Sequence, residues 1–165
     1  MSDATFNLLP AEVRVEIDHW VAKFPEEGKR SAVLSALLIV QDHNGGYLQP
    51  DLMDAVADYL GLPDIQVYEV ASFYSMFETE PVGRHHVSVC TNISCMLRGS
   101  DNIVAYIENK LGIKTGESTS DGRIFLKQEE ECLAACTGGP MMMVGHAFHE
   151  NLTHEKVDEI LYGLE

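Results

Sequence analysis

The sequence predicts an α/β chain of the α+β kind, with a helical N-terminal half followed by a small mixed sheet covered by helices. Three observations predict it. Apolar residues recur at helical spacing from residue 10 to about residue 77. After "TEPVG" the pattern changes to alternation, as in a strand. The rest of the chain then reads strand, helix, strand, strand, strand, helix, the order of a small mixed sheet with helices packed on it. The change of period falls between residues 78 and 84, which sets the expected domains at 1–80 and 81–165.

The elements follow in order. In "PAEVRVEIDHWVAKF" the residues Val13, Ile17, Trp20, Val21 and Phe24 make the apolar stripe of a first helix. The run from Ala32 to Val40 is apolar nearly all round, so a central helix packed on several sides is expected, ending at Asn44, Gly45 and Gly46. A third helix follows Pro50, turns Leu52, Val56 and Tyr59 inward and stops at Gly61 and Pro63. "DIQVYEVASFYSMF" makes a fourth, whose Tyr68, Phe73, Tyr74 and Phe77 are expected mainly in the core. "RHHVSVC" alternates as a half-exposed strand, with Val87 and Val89 on one face and His86 and Ser88 on the other. "SDNIVAYIENKLG" is an amphipathic helix, "SDGRIFLK" a turn and strand, and "MMMVGHAFHE" two short strands about Gly145. The terminal helix in "THEKVDEILYGL" is capped by Thr153.

Composition narrows the function. The net charge of −15 repels phosphate backbones and anionic lipid surfaces, so nucleic acid is not an expected partner. The N-terminal stretch shows no basic leader followed by an apolar run and cleavage site. No apolar stretch is long enough to span a bilayer, and the expectation is a cytoplasmic chain without direct membrane insertion. At 165 residues a core can form without disulfide staples, and in a reducing compartment thiols stay reduced unless a metal or catalysis claims them. No Gly-x-Gly-x-x-Gly follows a strand, so no nucleotide site is expected on this chain.

The four cysteines carry the chemistry. Cys90 and Cys95 in "CTNISC" and Cys132 and Cys136 in "CLAAC" form two pairs, each just beyond a strand, and loops held by a sheet can converge on one centre. Three occupants compete. Zinc accepts four thiolates but favours tighter hooks, commonly with two residues between ligands. A thioredoxin-type redox site needs Cys-x-x-Cys, which is absent. A 2Fe-2S cluster takes two thiolates per iron from a wider framework, as a C-x4-C loop with a distant second pair can supply. His85, His86, His146 and His149 could in principle replace a thiolate, but with four cysteines available no such replacement is expected. Ala134 and Ala135 keep the second loop slim. Gly138 and Gly139 are expected to turn it tightly through positive dihedrals and to let their amides approach the sulfurs, before Pro140.

The whole pattern, "CTNISC" followed by "CLAAC" and "GGP", resembles the thioredoxin-like 2Fe-2S ferredoxins. The helical leader with "EVASFYSMF" and "EPVGRHHVSVC" narrows the resemblance to the small iron–sulfur subunits of respiratory complex I, from about residue 10 to the C-terminus. "SFY" at Ser72 to Tyr74 and "GGYL" at Gly45 to Leu48 depart from the usual family residues, away from any cysteine. The resemblance implies a thioredoxin-like 2Fe-2S domain after an N-terminal helical bundle. It implies one 2Fe-2S cluster on Cys90, Cys95, Cys132 and Cys136. It further implies a partner flavoprotein that binds NADH and FMN and reduces the cluster, in the peripheral arm of a membrane-bound complex; related subunits serve NAD-linked hydrogenases and formate dehydrogenases. Such a centre goes formally from about −2 to about −3 on reduction, and in so acidic a chain a low potential is expected, near or below about −400 mV.

Overall fold

The computed structural model describes residues 8–129 and 132–165. The chain forms two compact units, one ending at Pro81 and the other spanning Val82–Glu165.

The first unit is helical: α1 (Ala11–Val21), a 3₁₀ segment (Glu26–Ala32), α2 (Val33–His43), α3 (Pro50–Leu60) and α4 (Asp64–Phe73). Helix α2 touches α1, α3 and α4, which its nearly continuous apolar surface requires. Val13, Ile17, Ala36, Leu37, Val40, Val56 and Val67 fill the core. Gly61 ends α3 in the left-handed conformation, at φ 68°. Gln41 is a buried polar residue in this apolar setting, and both ends of its amide are satisfied. Its Nε2 donates to the Met76 carbonyl at 3.0 Å and its Oε1 accepts from the Glu78 amide at 2.8 Å.

Three expectations for this unit need correcting. Trp20 lies at the surface, where the Lys23 ammonium sits 3.4 Å from its ring centroid. Tyr59 is only half-buried and donates to Asp18 at 2.7 Å. Burial and that hydrogen bond push its hydroxyl up to about 12. Of the four aromatics read mainly as core, Phe77 is buried and Tyr68 packs against the core, but Phe73 is 79% exposed and Tyr74 39%. Phe73 is the last residue of α4 and the chain turns extended at Tyr74, so the helical periodicity that pointed these rings inward ends there.

The second unit contains β1 (His85–Cys90), a one-turn helix α5 (Ile93–Met96), α6 (Ser100–Leu111), β2 (Glu117–Ser118), β3 (Ile124–Glu129), β4 (Met142–Val144), β5 (Ala147–His149) and α7 (His154–Tyr162). The strands form one mixed sheet in the order β2-β3-β1-β4-β5. Among the described residues only the central pair, β1 and β3, is parallel, with Cys90 opposite Glu129. Val87, Val89, Ile124, Leu126 and Met142 share one face, packed against Ile103, Val104 and Ile107 of α6 and Val157 and Leu161 of α7. Thr153 caps α7 by accepting from the Lys156 amide at 3.3 Å.

Strand β1 is not half-exposed as its alternation suggested, since Ser88 is buried at 6%. The strand is central, and its short Ser88 side chain sits in register between Lys127 and Met143 of the flanking strands. His86 likewise packs edge-on against its register partner Phe125, 5.7 Å between centroids. Alternation reports chemistry along a strand and not what its neighbours cover.

Candidate metal centre

Both cysteine segments begin where the central strands end. Because β1 and β3 run parallel, their C-terminal ends lie side by side, and a loop from each starts at the same edge. Cys90 is the last residue of β1, and its amide donates to the Met141 carbonyl at 3.1 Å. Cys95 lies within α5, its amide bonded to the Asn92 carbonyl at 2.9 Å. Cys90, Cys95 and Met141 form a small buried cluster of their own, with Leu133 and Ala135 against it.

The second segment is built differently. Cys132 and Cys136 are exposed, with their sulfurs 3.1 Å apart. Ala134 takes the left-handed conformation at φ 64°, which folds its amide back to donate to Cys132 Sγ at 3.4 Å. Cys136 opens a short 3₁₀ turn (Cys136–Gly138), and the Gly139–Pro140 peptide is cis. The Asn151 amide bonds to the Gly138 carbonyl at 2.6 Å and the Leu152 amide to the Pro140 carbonyl at 2.9 Å, tying the loop to the segment before α7.

The glycines were expected to serve by positive dihedrals, and neither does. Gly139 has φ −66°, and Ala134 supplies the left-handed turn instead. The need for glycine here is spatial. A Cβ on Gly138 would run into Glu150 Oε2 and lie 2.6 Å from Glu150 Cβ, and one on Gly139 would lie 3.1 Å from Cys95 Sγ.

The thiols feel one another. Burial pushes Cys95 up to about 11, reinforced by its interaction with Cys90. The Cys136 thiol, donating to Cys132, holds Cys132 below its ordinary value with help from the Ala134 amide, and the same bond raises Cys136. Cys90 interacts with Cys132 and Cys136 as well as Cys95, so both segments meet at one place. Among the described residues no three His, Cys, Asp or Glu are grouped to hold a single metal ion. Of the histidines, His85 is engaged through Nε2 with the Glu165 carbonyl at 2.7 Å. Four sulfurs delivered two by two, with the Met141 amide donating to Cys95, fit the donor set of a 2Fe-2S group.

Two contributors escaped the sequence reading. Arg98, one turn beyond Cys95, reaches the Thr137 carbonyl at 2.7 Å and the Gly139 carbonyl at 3.3 Å, and so crosses from one cysteine segment to the other. Met141 holds Cys90 through its backbone. A cation three residues after Cys95 was visible in the sequence, but its partners are backbone carbonyls, which leave no sequence signal.

A mixed sheet covered by helices, with thiols gathered where its parallel strands end, is the arrangement of a thioredoxin-like domain. The thioredoxin-like 2Fe-2S ferredoxin profile matches residues 17–165, and the chain belongs to that family. It is similar to the E subunit of NADH-quinone oxidoreductase from Rickettsia conorii, at 43% identity over 145 residues, 88% of this chain and 86% of the relative. The corresponding protein of Rickettsia bellii is 45% identical over 141 residues, covering 86% of this chain and 84% of the relative. A second such E-type protein, from Rhizobium meliloti, is 42% identical over 149 residues, covering 90% and 86%. Among solved structures, an NAD+-reducing NiFe-hydrogenase in the air-oxidized state superposes with a TM-score of 0.65 at 19% identity, over 78% of this chain. The match spans 22% of that hydrogenase chain, a likeness of fold.

Proposed function

We propose that this chain is the electron-transfer subunit of an NADH:quinone oxidoreductase. In this reading it carries one low-potential 2Fe-2S cluster on Cys90, Cys95, Cys132 and Cys136. The cluster takes an electron from FMN on a partner flavoprotein that also binds NADH. The observation that carries the reading is the similarity, above 40% over most of both chains, to the E-type subunits of NADH-quinone oxidoreductases. When bound, the cluster supplies a one-electron acceptor. The chain's own part is to hold it: two thiolates come from the buried end of β1 and α5, and two from the exposed loop after β3.

The chain is inactive alone in this proposal and belongs to the cytoplasmic, peripheral arm of a membrane-bound complex. Among the described residues no helix is long and apolar enough to cross a membrane, which accords with attachment through other subunits. The exposed Phe73 and Tyr74, in edge-to-face contact at 5.1 Å, offer aromatic anchors for the partner.

The test has three parts. The purified full chain should be red-brown, with iron and sulfide in equal amounts; zinc in their place would defeat the cluster. It should show no NADH oxidation with ferricyanide until a flavin-bearing partner is coexpressed, and NADH oxidation by the isolated, FMN-free chain would defeat the division of labour. A tagged pulldown in mild detergent should bring down quinone-reducing companions, whereas hydrogenase or formate dehydrogenase subunits would assign the chain to those complexes.

A further inference from the structure

Arg98 is exposed, yet its guanidinium is not left in solvent. One nitrogen, Nη1, donates both to the Thr137 carbonyl at 2.7 Å and to the Gly139 carbonyl at 3.3 Å. Those two carbonyls flank Gly138 at the end of the exposed cysteine segment, the first of them one residue after Cys136. Arg98 itself is fixed to the other segment, since its amide donates to the Cys95 carbonyl at 3.0 Å. Its stem passes close over Gly139, where a Cβ would lie 3.4 Å from Arg98 Cδ and 3.1 Å from Cys95 Sγ. The Ser94 hydroxyl adds a long contact in the same direction, 3.5 Å to the Cys136 carbonyl. The exposed segment is therefore tied back to the buried one by a cationic side chain.

We propose that Arg98 is a positioning residue for the cluster: it latches the Cys136 segment onto the Cys95 segment and holds a positive charge beside the centre. The chemistry gives it two separable effects. Charge-assisted hydrogen bonds to two carbonyls restrain a loop that is otherwise exposed, so the thiolates of Cys132 and Cys136 stay where the metal needs them. A fixed cation near a group that becomes more negative on reduction favours the reduced form, in a chain whose net charge of −15 opposes it. Lysine would keep the charge, but its ammonium sits one bond nearer the backbone than the Nη1 that reaches both carbonyls.

The inference rests on the cluster assignment of the preceding subsection, and the experiment separates the two. The full chain and its R98Q and R98K variants are loaded with iron and sulfide. Iron release to a chelator is followed by the loss of visible absorbance, and the midpoint potential is taken from the reduced paramagnetic signal. Both variants should release iron about tenfold faster than the parent, the scale of one lost charge-assisted bond. R98Q should also move to a more negative potential, with R98K remaining nearer the parent. Circular dichroism of the cluster-free chains should be unchanged, because Arg98 lies outside the apolar cores. Parental release rates in both variants, or one potential shared by all three proteins, would overturn the latch. A parent chain that takes up no iron and sulfide would instead overturn the cluster assignment.

Discussion

The two cysteine pairs differ in how the fold treats them. Cys90 and Cys95 are each 1% exposed and share a buried cluster with Met141, so they belong to the interior whether or not a metal is bound. Cys132 and Cys136 lie on an exposed loop held by a left-handed alanine, two backbone bonds to the segment before α7, and Arg98. One half of the cradle is part of the core, and the other is fastened to it from outside. The first pair should therefore matter to the cluster and to the fold, the second to the cluster alone.

The largest effect expected is loss of the cluster. Replacing any one of the four cysteines by Ala removes half the protein ligation of one iron, so bound iron and sulfide should fall close to zero. A variant that keeps a normal reduced 2Fe-2S signal would take its cysteine out of the ligand set. Unfolding of the cluster-free chains in urea then sharpens the contrast. Cys90→Ala and Cys95→Ala should cost about 1 kcal/mol each, and Cys132→Ala and Cys136→Ala under about 0.5 kcal/mol. Equal costs at all four would erase the distinction.

Next in size is Gly138→Ala. Its methyl group would meet the Cβ of Glu150 at 2.6 Å, an atom that cannot swing aside, and a loss of about 2 kcal/mol is expected in the same urea measurement. Gly139→Ala, with its nearest contact at 3.1 Å, should cost less stability but more cluster, since that contact is Cys95 Sγ. A neutral Gly138→Ala would mean that the loop is free to move away from α7.

Chemical access gives a third contrast. In the cluster-free chain, iodoacetamide should modify Cys132 and Cys136 about tenfold faster than Cys90 and Cys95, read by peptide mass spectrometry. Uniform labelling would show that the first pair opens as readily as the second. A smaller change should follow from Ala134→Gly. Glycine relieves the left-handed strain at φ 64° but adds freedom to the unfolded chain, leaving a gain of about 0.5 kcal/mol.

The smallest effect lies away from both segments. Asp158 is held below its usual 3.8, by its hydrogen bond from Lys110 first and then by that from Tyr106, and Glu108 below 4.5 by Lys114 and the Thr115 amide. A carboxyl lowered in the folded state binds fewer protons there than when unfolded. Its stabilising contribution is complete above the unfolded value and is lost as pH falls through the folded one. A shallow loss of stability beginning below about pH 4.5 should therefore appear in acid titration, equal in parent and Cys132→Ala chains. A difference between them would place an acid-sensitive contact in the loop.

How much of this was legible beforehand depended on whether a feature is local. The Val13 and Ile17 core of the α1 stripe, the all-round apolar α2 and the Thr153 cap are properties of a few adjacent residues, and they read correctly. The spacing of the cysteines and their positions after strands were equally local. Ser88 and Phe73 were misread because burial is decided by neighbours, the flanking strands in one case and the point where a helix stops in the other. The positive dihedrals expected of Gly138 and Gly139 are absent, since what requires glycine there is closeness to Glu150 and to the Cys95 sulfur, both distant in sequence. Arg98 left no trace because its partners are carbonyls, and every residue has one.

The parallel pairing of β1 with β3 also sets an order of events in time. The first thiols are synthesised about 40 residues before the second, and nothing in the first segment can complete the cradle. The two come together only when β3 has been made and laid against β1, a non-local contact that forms slowly compared with a hairpin. Loading of the proposed cluster would thus have to wait for a sheet that is already closed at its centre. A maturation system that delivers iron and sulfide only to chains able to retain them would, by that fact, be selecting for finished molecules.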